Sequence, residues 1–229
     1  VIYIKIYVIY VIKYIKKTIN CVEKGRTLMQ RKLYQSLIEW KNSNLRKPLL
    51  FQGARQVGKT YIVREFGRNE YENFISFNFE EEPQLISLFD KELSPVRLLE
   101  LLSAYKGVAI KPESTLIFFD EIQICPRAVT SLKYFCEETP EYHIIAAGSL
   151  LGVSVGKSSS FPVGKVNFLT MYPLNFHEFL LAIGETTLVE MLRARKDSES
   201  IPELFHDKLT IMLRLFLYLG GMPEVINVY

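Results

Sequence analysis

Cysteine, histidine and charge of one sign are all scarce in this chain. The three cysteines, Cys21, Cys125 and Cys136, are an odd number at distant positions. That excludes a disulfide framework and fits a reducing cytoplasm. Cys125 and Cys136 fall on a predicted helix and read as core or idle thiols. The three histidines, His143, His177 and His206, show no metal-like spacing. His143 sits in a predicted strand and reads as a core or edge residue. The net charge is only +3, and residues 1–28 hold six basic side chains against Glu23 alone, so residues 29–229 carry −2. The sequence pI of 8.6 is therefore no argument for nucleic-acid binding. An unbroken apolar run of the about 18 residues needed for a membrane span is also missing. The nearest approach, VIYIKIYVIYVIKYIKK at 1–17, is interrupted by Lys5 and Lys13, and no small-residue cleavage site follows it.

What is present is the composition of a folded globular protein, 229 residues with 48% hydrophobic and 23% charged. That length buries a large core and fits one domain, or one and part of another. Residues 1–28 stand apart as an atypical extension. Three readings are open for them: a weak membrane anchor, an extra β-prone strand, or upstream sequence read in frame ahead of a start at Met29. The last is preferred, because a well-patterned helix follows Met29 at once. From Met29 to Asn44, the apolar residues Leu33, Leu37, Ile38 and Trp40 recur near helical spacing. There is no internal repeat.

The most informative stretch is Pro48–Thr60, PLLFQGARQVGKT. It reads as a short apolar strand, a glycine-framed loop and the start of a helix. Gly53, Gly58, Lys59 and Thr60 hold the spacing of a phosphate-binding P-loop. Gly53 and Gly58 carry no Cβ, so the backbone turns tightly and approaches a phosphate. The amides of Ala54, Arg55, Gln56, Val57, Gly58, Lys59 and Thr60 then donate to phosphate oxygens at the positive end of a helix. Arg55 also reads as a packing or salt-bridging residue. Lys59 neutralises the outer phosphates, and the Thr60 hydroxyl is a Mg²⁺ ligand.

The P-loop helix is predicted to end with Gly67 as its C-cap. NFISFNF at 73–79 reads as a second strand, closed by Glu80, Glu81 and Glu82, and Pro83 opens a short helix. Ser94-Pro95 marks the N-cap and first turn of the next. Residues 115–119 form the continuous apolar run of a strand buried on both faces. A helix starts at Pro126, another buried strand covers 142–147, residues 152–164 read as a mobile Gly/Ser-rich loop, and a last strand covers 165–171. Asn175 and Glu178 resemble a capping box for a helix to Ala182. Residues 185–196 and 202–219 are amphipathic and helical. Strands alternating with helices predict an α/β fold with a mostly parallel sheet flanked by helices, followed by a helical segment.

The strand at 115–119 ends in Asp120-Glu121. A P-loop protein needs such an acid beside its phosphate site: Asp120 holds Mg²⁺, directly or through water. Glu121 adds a second carboxylate that can orient or deprotonate an attacking water, which favours hydrolysis over small-molecule phosphorylation. Ser149 ends the next buried strand. It reads either as a contact to the γ-phosphate or attacking water, or as a strand-end cap. Lys165 reads either as a phosphate-sensing cation or as a solvated lysine.

These residues carry a resemblance. The chain resembles the bacterial and archaeal AAA-superfamily ATPases that join an N-terminal ATPase domain to a C-terminal domain of unknown function. The matching pieces are MQRKLY at 29–34 with Leu37 and Trp40, GARQVGKT at 53–60, FDEIQ at 119–123, AAGSLLG at 146–152, YPLNFHEFL at 172–180 and GGMPEV at 220–225. The resemblance implies ATP as the nucleotide. It implies a sheet of the ASCE class (an additional strand between the P-loop and acidic strands), with Ser149 at the sensor position. The position of Lys165 is often arginine in that family, a candidate finger, and lysine lacks the planar bidentate contact. The family also starts near Met29 and continues past GGMPEV into its second domain, which implies that the chain is truncated at Tyr229.

The sequence therefore predicts a Mg²⁺-dependent ATP-binding protein that hydrolyses ATP as a switch or remodeller in the cytoplasm. Residues 29–182 form the ATPase domain, and 183–229 lead into a truncated C-terminal domain. The partner, protein or nucleic acid, is expected through that missing domain, and oligomers are possible. The alternative is a non-hydrolysing, nucleotide-dependent regulatory or DNA-associated module.

Overall fold

The apolar runs of the sequence become the strands of one parallel sheet. The computed structural model describes residues 32–148, 162–196 and 200–228. Ser149 and residues 1–28 lie outside them, as does most of the predicted loop at 152–164.

The first helix, α1, covers Lys32–Lys41. Strand β1 (Leu49–Gly53) leads into α2 (Lys59–Glu70). Then come β2 (Asn73–Asn78), α3 (Leu85–Lys91), α4 (Pro95–Lys106) and β3 (Thr115–Asp120). A 3-10 turn, Ile122–Ile124, joins β3 to α5 (Pro126–Glu138), and β4 (His143–Gly148) and β5 (Asn167–Met171) complete the sheet. The strand order is β2-β3-β4-β1-β5, and every pairing is parallel. The strand that ends before Ser149 thus lies between the P-loop strand and the Asp120 strand, as the resemblance implied.

Alternation along the strands sorts their side chains onto two faces. Leu50, Ile75, Phe77, Ile117, Phe119, Ile144 and Ala146 join a core with Phe89 of α3, Leu98 and Leu102 of α4, and Leu132 and Phe135 of α5. Phe119 anchors it, with ring contacts to Phe77, Phe79 and Phe89. On the other face Phe74 stacks on Phe118 and meets Gly67 of α2. All six residues of β3 and all six of β4 are buried, as expected for inner strands covered on both sides.

Two expectations change. Gly67 does not end its helix, because α2 runs on to Glu70. A Cβ at Gly67 would run into the Phe74 ring, so glycine there lets α2 approach β2 closely. Ser94 occupies the N-cap of α4 ahead of Pro95, but its side chain makes no cap hydrogen bond. Its amide instead donates to Glu92 Oε1.

The described residues divide into two compact units, Leu33–Tyr172 and a second that takes Lys32 and Pro173 onward. The second holds α6 (Phe176–Ala182), α7 (Thr186–Ala194), α8 (Glu203–Leu219) and α9 (Pro223–Val228). Asn175 and Glu178 form the expected capping box, each side chain accepting from the other's amide. Its core gathers Phe179, Leu180, Val189, Leu209 and Met212.

Candidate functional site

Parallel strands point their carboxyl ends the same way, so β1 and β3 deliver their loops to one rim of the sheet. Gly53, the last residue of β1, pairs in register with Met171 of β5. A Cβ there would strike the Met171 carbonyl oxygen. The chain turns through Gln56 (φ 63°) and Gly58 (φ 93°), both left-handed, before α2 begins at Lys59. Val57, between them, is fully buried and pins the loop. Glycine suits the left-handed turn at 58; glutamine at 56 adopts it under strain.

Lys59 is 7% exposed. Its Nζ donates to the carbonyl oxygens of Gly53, at 2.9 Å, and Ala54, at 2.7 Å. Burial lowers its pKa, while the carboxylates of Glu121 and Asp120 act to hold the proton on. Thr60 Oγ1 donates to Asp120 Oδ2 at 2.7 Å, which brings helix start and strand end together across the sheet. Burial raises the pKa of Asp120, against the hydrogen bonds from Thr60 and from the Glu121 amide to Oδ1. A buried ammonium, a hydroxyl and a carboxylate meeting beside left-handed turns suit a phosphate group with a hard divalent cation.

Glu121 leaves the strand in a left-handed conformation, φ 50° and ψ 39°. Gln123, which sequence reasoning passed over as a site residue, donates from Nε2 to Glu121 Oε2 at 2.6 Å. The signal was a lone amide between Ile122 and Ile124. Arg55 and Gln56 are exposed.

The remaining candidates lie elsewhere. Lys165 precedes β5 at the opposite rim and pairs with Glu137 at 2.9 Å. It is a solvent-exposed lysine that makes a surface ion pair. His143 starts β4, also at that opposite rim. It is buried, with Nδ1 2.6 Å from the Tyr71 hydroxyl. Cys125 and Cys136 are free thiols, and Cys125 caps α5 rather than lying within it. Among the described residues no group of His, Cys, Asp and Glu could by itself hold a metal, and no helix is long and apolar enough to cross a membrane.

Solved structures resemble this chain in part. Drosophila ORC bound to DNA matches with a TM-score of 0.52 and 17% identity, covering 84% of this chain and 57% of that one. AMPPCP-bound DnaA from Aquifex aeolicus matches with a TM-score of 0.48 and 17% identity, over 86% of this chain and 58% of that one. This chain thus spans less than two thirds of either. No curated protein matches the sequence. The model of a family described as an AAA domain matches residues 45–180. That span runs from just before β1 into α6. It holds the Gly53–Thr60 loop and the acidic strand together, and membership supports nucleotide binding. The chain belongs to the AAA domain family.

Proposed function

We propose that this chain binds ATP with Mg²⁺ and hydrolyses it, using the turnover as a switch or remodelling cycle. One observation carries the reading: the Thr60 hydroxyl sits 2.7 Å from the Asp120 carboxylate, beside the buried Lys59. The cation, when bound, would offset the negative charge of the outer phosphates. Lys59 and the amides from Ala54 to Thr60 hold the phosphates. Thr60 and Asp120 supply the cation's oxygen ligands. Glu121 orients the attacking water and accepts its proton. Ser149 follows Gly148, which lies level with Gln52 of β1, and this supports its sensor role.

We read residues 29–182 as the ATPase domain and 183–229 as a helical lead into a further domain that engages a protein or nucleic-acid partner. The free thiols support a cytoplasmic setting. The test is a pair of variants. Lys59→Ala should abolish nucleotide binding, whereas Glu121→Gln should keep binding and stop turnover. Wild-type turnover in Glu121→Gln would sink the hydrolytic reading; no turnover in the unaltered protein would favour a non-hydrolysing regulatory module.

A further inference from the structure

Glu121 follows directly on β3. Its backbone turns left-handed, so the side chain departs from the line of β3. The 3-10 turn that follows is fixed by Ile122, fully buried, and by amides closing back on Glu121 and Ile122. This turn brings Gln123 beside the Glu121 side chain. The Gln123 amide spends its nitrogen on Glu121 Oε2 at 2.6 Å, and its own Oε1 is buried without a hydrogen-bond partner among the described residues. Turning the amide over would set oxygen against carboxylate oxygen, two acceptors with no proton between them. The orphaned carbonyl is thus the cost of pointing the NH₂ at the carboxylate. A leucine would fill the same space with no buried orphan. Packing alone therefore does not account for glutamine here. Glu121 Oε1 takes no hydrogen bond among the described residues, so one carboxylate oxygen is fixed and the other is left to a water.

We propose that Gln123 is a positioning residue, which clamps Oε2 of Glu121 so that Oε1 is presented to the attacking water. The inference rests on Glu121 being the base. Gln123→Leu keeps the volume and removes the donor; Gln123→Glu keeps the shape and replaces the donor with a second acceptor. Gln123→Leu should lower kcat about tenfold or more while leaving the affinity for ADP and the melting temperature close to wild type, and Gln123→Glu, which sets two carboxylates side by side, should lower kcat at least as far. A readout independent of turnover is the side-chain amide of Gln123 in ¹⁵N-labelled, nucleotide-free protein, identified by its loss in Gln123→Leu. Its resonances should move in Glu121→Gln. Turnover at the wild-type rate in Gln123→Leu, beside a stopped Glu121→Gln, overturns this inference alone, as does an amide resonance that ignores Glu121→Gln. Wild-type turnover in Glu121→Gln removes the base and the inference with it.

Discussion

Thr60 Oγ1 and Asp120 Oδ2 stand 2.7 Å apart although β4 separates β1, which leads to Thr60, from β3, which ends in Asp120. The helix start therefore does what adjacent pairing cannot, carrying a hydroxyl across to the acidic strand. Thr60→Val removes that oxygen at constant shape. Its affinity for nucleotide in excess Mg²⁺ should fall by about 1–2 kcal/mol, roughly tenfold. With the metal chelated, its affinity should match wild type. Titration calorimetry under both conditions checks this.

Asp120 is buried, and burial raises its carboxyl above the usual range. The sign follows from linkage: a raised pKa means that the folded state holds the proton more tightly than the unfolded chain. The charged form is a burden above that pKa, relieved as pH falls through it. Asp120→Asn should raise the melting temperature at pH 8 by a few degrees, and the advantage should shrink in acid. Thermal melts across pH decide it, and an advantage that grows in acid would contradict the assignment.

His143 carries the opposite sign. Its buried ring shares a hydrogen bond with the Tyr71 hydroxyl, and burial, aided by the charges of Arg46 and Lys41, lowers its pKa to about 4. The unfolded chain protonates near the ordinary value of about 6.5. Stability is therefore full above that value and is lost as pH falls toward 4, by about 3 kcal/mol. A His143→Gln variant should lose less stability than wild type over that interval in urea titrations at pH 7 and pH 4.5.

Gly53 and Gly67 admit no side chain. A methyl group at 53 meets the Met171 carbonyl, and one at 67 meets the Phe74 ring. Each alanine variant should cost about 1–3 kcal/mol. Gly53→Ala should also weaken nucleotide binding, because it displaces the loop from β5. Gly67→Ala should leave binding intact. Denaturation and binding measured on the same samples separate the two effects.

Much of the site was legible because its chemistry needs fixed residue types at fixed separations. GARQVGKT announced the loop, and four apolar residues before Asp120-Glu121 announced the acidic strand. The sheet followed from period and run length, and Asn175 with Glu178 from reciprocal capping. What was not legible depended on contacts made by other parts of the chain. Gly67 resembled a helix terminator in one dimension, yet it serves the Phe74 ring across a helix–strand contact. Lys165 finds Glu137, and neither neighbour in sequence foretold it. Gln123 escaped notice because its role arises from a left-handed residue two positions earlier, and backbone handedness at Glu121 has no marker in side-chain type.

The complete burial of β3 and β4 has a consequence for motion. Amide protons in two inner strands with no exposed residue should exchange with solvent only through large-scale opening of the sheet. Asp120 closes the first of these strands, so its carboxylate should be held by a slowly exchanging strand. β5, at the sheet edge among the described residues with Phe168 half exposed, should exchange sooner. Deuterium labelling should therefore rank the carboxylate's strand above the edge strand that packs against Gly53. On the proposed reading, any yielding during nucleotide exchange should then fall to the loop and its left-handed turns, with the acidic strand as the fixed reference against which they move.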